Sequence, residues 1–140
     1  MWEKEFGSSF ADDIAGGLTI DSNNNIYVAS YIIGQYQGNT TLVAPEFTLR
    51  KLDTDGTIIF EQKSTTTISI GGITHDSSGN IYITGSTTKN DWISGDNSLC
   101  CNSGYSDLLV VKFNSSGTKQ WALQIGTSGF DGGSSIVTDT

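Results

Sequence analysis

The chain has 140 residues, of which 17 are glycine and only 1 is proline, and its formal net charge at pH 7 is −8. This charge argues against a nucleic-acid partner, because it repels a phosphate backbone and no basic patch offsets it. No apolar run approaches the roughly 20 residues that a membrane helix needs, and the start lacks the apolar core of a signal peptide. We therefore expect neither a membrane span nor an export signal within this sequence.

Short alternating apolar runs separated by Asn- and Gly-rich turns predict β-strands along the whole chain, and no stretch has the periodicity of a helix. A first strand is predicted at 2–6. Two sets of four follow, at 16–21, 25–31, 47–53 and 57–63, and then at 70–76, 80–86, 107–114 and 118–125. A last strand is predicted at 134–139.

The two sets of strands are copies of one repeat. Asp21 aligns with Asp76 at a spacing of 55 residues, and Gly56 aligns with Gly117 at a spacing of 61. Each of these residues lies in an Asx- and Gly-rich turn of the kind that closes a tight hairpin, since Asn and Gly tolerate the positive φ that such turns need. The aspartates are interpreted as turn residues that accept backbone N–H groups.

A third, partial copy follows the second. Trp121 aligns with Trp2, and Asp139 aligns with the aspartate that ends the first strand of each copy. Phe60 takes the tryptophan position in the middle copy, so a large ring recurs on the fourth strand, where it can cover a neighbouring sheet.

A repeating series of four-stranded antiparallel sheets buries its apolar faces by stacking around an axis, which predicts an all-β fold of β-propeller blades. We expect an incomplete ring of about two and a third blades. Residues 2–6 would be the outer strand of a preceding blade, 16–63 and 70–125 two blades, and 134–140 the first strand of a third. The residues expected between blades are Ile26, Val28, Ile81, Ile83, Leu109 and Val111.

Three segments resemble the bacterial SBBP β-propeller repeat: DSSGNIYITG (Asp76 to Gly85), SDLLVVKFNSSG (Ser106 to Gly117) and WALQIGTSGFDGGSSIVTD (Trp121 to Asp139). The NHL-type propeller repeat shares the first hairpin. The first copy departs from the pattern, with Asn24 where Gly is usual and FTLRKL in place of DAFVAK. The resemblance implies a surface-exposed or secreted bacterial protein that serves as a binding, adhesion or structural scaffold.

Propellers close with about four to eight blades, whereas this sequence supplies two with extra strands. Two interpretations stay open: the sequence is part of a longer array, or several copies associate. The expected partners are accordingly other blades of the parent chain or further copies of the same chain.

Acidic residues in the loops between blades could bind calcium, which takes six to eight oxygen ligands. The candidates are Asp12, Asp13 and Asp131, and the alternative is that they are solvated turn acids. The segment DTDG at 53–56 resembles the start of an EF-hand, but Ser64 stands where the bidentate Glu belongs, which predicts a hairpin instead.

Two cysteines, Cys100 and Cys101, are adjacent in the long loop of the second copy. They form either a strained vicinal disulfide or two thiols in a loop. With His75 as the only histidine, they do not make up a zinc site.

Two classes of function remain. The first is a non-enzymatic scaffold whose protein or glycan ligand meets a loop face formed by Asn39, Asp91, Trp92 and Tyr105, with exposed aromatic rings as anchors. The second is part of a propeller enzyme, such as a lyase or glycosidase, with its catalytic residues mostly in other blades. No catalytic residue is predicted here, because His75 has no second His or Cys near it in the sequence.

Overall fold

A computed structural model describes residues 2–7, 12–33, 46–65, 68–88 and 104–139. The described residues form eight strands in two four-stranded antiparallel sheets. Sheet 1 contains β1 (Asp12–Ile20), β2 (Ile26–Ile33), β3 (Glu46–Leu52) and β4 (Ile58–Ser64). Sheet 2 contains β5 (Ile68–His75), β6 (Ile81–Thr87), β7 (Asp107–Phe113) and β8 (Lys119–Ile125). The strand order in each sheet follows the chain, which confirms the predicted all-β fold of propeller blades.

The strands predicted at 2–6 and 134–139 are absent as paired strands. A strand is defined by the ladder of hydrogen bonds that it forms with a neighbour, and neither segment has such a neighbour among the described residues. Their assignment to a preceding and a third blade stays a prediction.

All four hairpins are built in the same way. The first residue of each turn accepts, through its side-chain Oδ1, the backbone N–H groups two and four positions later at 2.8–3.1 Å. These first residues are Asp21, Asp53, Asp76 and Asn114. The DTDG segment is therefore a hairpin, as its sequence predicted.

The fourth residue of each hairpin has a positive φ. This residue is Asn24 (φ 61°), Gly56 (φ 77°), Gly79 (φ 76°) or Gly117 (φ 80°). A turn followed by one left-handed residue joins two antiparallel strands with the correct twist, and Gly and Asn are the residues that take this conformation readily. The departure at Asn24 therefore preserves the turn.

The core lies between the two sheets. Sheet 1 contributes Tyr27, Ala29, Phe47 and Leu49, and sheet 2 contributes Ile68, Ile70, Ile81, Ile83, Leu109, Val111, Phe113 and Ala122. The sheets approach most closely at their first strands, β1 and β5. Further out, the rings of Phe47 and Phe113 stack with their centroids 6.0 Å apart.

The residues of sheet 2 expected between blades are buried against sheet 1, whereas in sheet 1 Ile26 and Val28 lie on the face turned away from sheet 2, so their place between blades stays a prediction. Ile26 and Val28 are only half-buried, whereas their neighbours Tyr27 and Ala29 are fully buried. Successive side chains of a strand point to opposite faces, and here both faces of β2 are apolar. The pattern alone could not decide which face the second sheet covers.

Glycines allow the first strands to come together. Gly16 lies so close to Ile70 that an added Cβ would overlap its side chain. Gly71 is the equivalent residue of the second copy, and a Cβ added to it would overlap the backbone of Gly133. Residues around 133–136 therefore lie against β5 as β5 lies against β1.

Aromatic rings form a second recurring contact, one from the outer strand β4 and one from residues 2–7. The ring of Phe60 covers Gly117, where an added Cβ would lie 2.6 Å from the ring. Trp2 covers Gly56 in the same way at 2.9 Å, and its indole N–H donates to the carbonyl of Thr54 at 2.7 Å. Each ring thus lies on the turn glycine of the following sheet.

We expect Gly117→Asn to lower the free energy of unfolding by about 1–3 kcal/mol, because Asn tolerates the positive φ but its Cβ overlaps the Phe60 ring. Gly79→Asn is the matched control: its φ is the same within a few degrees, an added Cβ meets only Ser115 at 3.3 Å, and the first repeat already has Asn there. Urea unfolding of both variants measures the difference. Equal losses of stability would contradict the proposed ring contact.

Candidate functional site

The four hairpins lie at one end of the strands, the hairpin edge, whereas residues 104–106 and 126–131 lie at the opposite end, the loop edge. At this second edge, residues 104–106 run beside 127–131. The N–H of Tyr105 donates to the carbonyl of Gly129 at 3.2 Å, and the N–H of Asp131 donates to that of Ser106 at 2.7 Å. Gly104 leaves no room for a side chain against the backbone of Ser128. The two segments are thereby fixed against each other.

These two segments carry a pair of aromatic residues. The rings of Tyr105 and Phe130 stack almost in parallel, with centroids 4.7 Å apart and planes 12° apart. The two residues are 67% and 79% exposed. We call this pair the aromatic platform. Large rings contribute most of the energy of many binding sites, and they lose few torsions when they bind.

Tyr105 is the one predicted ligand residue that the structure describes. Asn39, Asp91 and Trp92 lie outside the described residues, so the structure does not place them. Phe130 was missed by the sequence reasoning. Its signal was available, since a large ring in the Gly-rich segment TSGFDGG belongs to no alternating strand and has no place in the core.

Asp131 stabilises the loop that carries Phe130. Its Oδ2 accepts the backbone N–H of Thr127 at 2.7 Å and the hydroxyl of the same residue at 2.8 Å. These two bonds hold the pKa of the Asp131 carboxyl below its ordinary value. The carboxylate acts here as the acceptor of a turn.

The structure does not test the predicted calcium site as a whole, because the side chain of Asp12 lies outside what it describes. Asp13 lies beside Gly7, and the Asp131 carboxylate accepts the hydrogen bonds of its own turn, so calcium binding stays a prediction. Among the described residues, no three His, Cys, Asp or Glu side chains form a group that could hold a metal. Cys100 and Cys101 lie outside the described residues, and their redox state stays a prediction.

The single histidine lies between the blades at the hairpin edge. Its Nδ1 is 3.0 Å from the hydroxyl of Thr19, and its ring stacks on Tyr27 with centroids 6.4 Å apart. It lines a cavity of about 290 Å³ together with Asp21, Lys51 and Asp76. His75 therefore contacts a hydroxyl and a ring of the neighbouring sheet.

The charged residues of this cavity belong to a group that recurs in both sheets. In sheet 1, the Tyr27 hydroxyl donates to Asp21 at 3.2 Å and the Lys51 ammonium lies 4.8 Å from the tyrosine ring centroid. In sheet 2, Tyr82 donates to Asp76 at 3.0 Å, and a lysine lies 5.2 Å from its ring. Recurrence at equivalent positions indicates that this group stabilises each hairpin. Asp139 is exposed, and its role as a turn residue stays a prediction.

The hydrogen bonds of this group shift the pKa of Asp21. Burial by itself raises the pKa, but the bonds from Asn25, from the backbone of Asn23 and from the Tyr27 hydroxyl outweigh it and lower the value from 3.8 to about 2. The pKa of Asp76 is lowered as well, with desolvation again opposed by the same set of bonds.

Because the folded protein holds the Asp21 pKa below its unfolded value, the carboxylate stabilises the fold above about pH 4, and this stabilisation is lost as the pH falls toward 2. We expect a loss of about 1–2 kcal/mol over that range after allowance for screening by solvent. Urea unfolding at several pH values measures it. Asp21→Asn should flatten the pH dependence relative to the wild-type chain; an unchanged slope in this variant would contradict the assignment.

Two four-stranded antiparallel sheets, stacked face to face and linked by recurring ring and glycine contacts, define the class of this protein as β-propeller blades. The family model of the SBBP β-propeller repeat matches residues 2–36 and 62–91. The chain therefore contains SBBP-type β-propeller repeats in these two segments. Both matches start at or beside an outer strand and continue through the first hairpin of the next sheet.

Among curated proteins, no significant match to this chain is found. In the described part of the chain, no helix is long and apolar enough to cross a membrane.

Proposed function

We propose that this repeat module is a non-enzymatic binding scaffold, at the cell surface or secreted, whose aromatic platform contacts a protein or glycan ligand. The observation that carries this proposal is the exposure of Tyr105 and Phe130, two large rings stacked at 4.7 Å on the loop edge. Neither ring is needed to fill the core, which lies between the two sheets. The resemblance to SBBP repeats supports the surface location.

The support of the platform favours binding. Rings that are already stacked and held by backbone hydrogen bonds need little further ordering when a ligand arrives, and such preorganisation improves affinity. The Tyr105 hydroxyl adds a group that can donate and accept at the edge of an apolar surface. A flat apolar surface with a polar rim matches the ring face of a sugar or an apolar peptide side chain.

The described part of the loop edge lies apart from the turns that recur in both sheets. The contacts that recur in both sheets lie at the hairpin edge. They are the four Asx hairpins and the groups in which a tyrosine contacts both an aspartate and a lysine. Changes at the loop edge therefore alter the surface without altering the turns that set the strand register. In propeller-like folds this separation allows one scaffold to present different side chains.

We expect Tyr105→Ala and Phe130→Ala each to weaken ligand binding about 5- to 30-fold, as is typical of aromatic anchors in binding sites. The wild-type chain and both variants would be applied to printed glycan and peptide arrays, and Kd would then be measured by titration for the best glycan or peptide. The matched control is Ile59→Ala, which removes an exposed apolar side chain from β4.

Binding that is unchanged in both platform variants would contradict the proposal. Cleavage of a bound glycan during the titration would instead favour the propeller-enzyme alternative. Circular dichroism of the variants separates a lost contact from a lost fold.

A further inference from the structure

The two copies of the repeat differ sharply at one set of equivalent positions. On the face of sheet 2 that packs against sheet 1, the outer strands carry Leu109, Val111, Ala122 and Gln124, all of them buried. On the corresponding face of sheet 1, the same repeat positions carry Thr48, Arg50, Glu61 and Lys63. This face of sheet 1 is turned away from sheet 2.

The charged residues of sheet 1 form a connected network. Arg50 Nε lies 2.6 Å from Glu61 Oε2, and its Nη1 donates to the Ser30 hydroxyl at 3.3 Å. Lys63 Nζ lies 3.0 Å from Glu46 and 3.6 Å from Glu61. We call these four residues, Glu46, Arg50, Glu61 and Lys63, the charged face. It holds two cations and two carboxylates, so its charges balance.

The inner strands on the same side remain apolar. Leu18 and Ile20 are 63% and 51% exposed. In sheet 2 the equivalent positions are Ile73 and His75, which contact Gly17 and Tyr27 of sheet 1. On this side of sheet 1, the apolar residues of β1 are therefore suited to contact with another sheet. The charged face on β3 and β4 is not suited to contact with an apolar strand.

Residues 2–7 show what kind of outer strand the charged face accepts. Trp2 covers Gly56 as Phe60 covers Gly117, so this segment occupies the position of an outer strand of a covering blade. Its Lys4 ammonium donates to the carbonyl of Gly56 at 2.7 Å, and the Arg50 guanidinium lies 4.5 Å from the centroid of the Phe6 ring. These contacts are polar or cation–π contacts.

A polar gap remains beside this segment. A cavity of about 260 Å³ lies between Phe6 and Gly7 on one side and Glu46, Arg50 and Lys63 on the other. The charges on its wall keep access to water, which the pairs need because dehydrated ions are stable only when fully hydrogen-bonded.

We infer that the charged face is an interaction surface that selects its partner: it accepts a blade with a polar outer strand and excludes a second copy of this chain. A second copy would offer the uncovered side of sheet 2, which presents Tyr82, Val110, Trp121 and Leu123 at the positions where sheet 1 presents Tyr27, Leu49, Phe60 and Gln62. Placing these apolar side chains on Arg50 and Glu61 would dehydrate the ion pairs with no hydrogen bond in return.

The test is to give sheet 1 the residues that sheet 2 has at the same positions: Thr48→Leu, Arg50→Val, Glu61→Ala and Lys63→Gln. All proteins in the test carry Trp2→Ala, so that the place on Gly56 is open to a ring from another copy. Sedimentation velocity over a concentration series, in about 0.3 M salt so that the net charge is screened, measures association.

We expect the fourfold variant to form open chains of copies at concentrations at least tenfold lower than the Trp2→Ala protein does. Adding Trp121→Glu should dissociate these chains. Trp121 is 37% exposed, and it would provide the ring that covers Gly56 of the next copy. Equal association of the fourfold variant and the Trp2→Ala protein would overturn the inference. So would open chains of the Trp2→Ala protein at the same concentrations as the fourfold variant, if Trp121→Glu dissociates them.

A smaller change tests the same inference if the fourfold variant does not fold. Arg50→Val with Glu61→Ala exchanges one neutral ion pair for the residues of sheet 2 and leaves Lys63 paired with Glu46. This variant should associate more strongly than the Trp2→Ala protein and less strongly than the fourfold variant. The control Arg50→Lys with Lys63→Arg keeps all the charges and should behave as the Trp2→Ala protein; association of this control would also overturn the inference.

Discussion

The structure depends on one constraint: each four-stranded sheet has an apolar face that only another sheet can cover. Sheet 1 covers its face with sheet 2, and the close approach is possible because Gly16 has no side chain where Ile70 packs. Further out, the ring of Phe60 closes the gap by covering Gly117. The distance between blades is thus set by a glycine at the inner strand and a ring on a glycine at the outer strand. Both contacts are unusually intolerant of added atoms, since a packed interior has no space to receive them.

The repeat separates structural chemistry from variable chemistry. The hairpin edge carries the same Asx turns in both sheets, and the side-chain oxygens of these turns accept backbone N–H groups, so they have little capacity for other ligands. The lowered pKa of Asp21 reflects this occupation and does not by itself indicate catalysis. The loop edge and the face of sheet 1 turned away from sheet 2 are where the copies differ. Those two regions hold the aromatic platform and the charged face.

These two regions have complementary roles in the proposed scaffold. A binding surface of stacked rings needs a rigid support, which the sheets and the paired loop segments provide. An array of similar blades also needs a means of controlling which blades stack, because repeated apolar faces bind one another without discrimination. Charges at the outer strands supply such control, since the energy needed to dehydrate them rises when the partner is apolar and falls when it is polar.

The sequence by itself determined the repeat, the strands and the turns. Alternating apolar runs and Asx–Gly tetrads are local signals, and the hairpin at 53–56 and the strand pairs on either side could be predicted because each depends on residues close in the chain. It also identified Tyr105 as an exposed aromatic residue of a loop. Only the tertiary structure decided which face of β2 is covered and that Phe130 stacks on Tyr105. It also decided that the four residues of the charged face form one network of ion pairs. The physical reason is that both faces of β2 are apolar and that ring and ion pairs join residues far apart in the chain, so that only the stacking of the sheets brings them together.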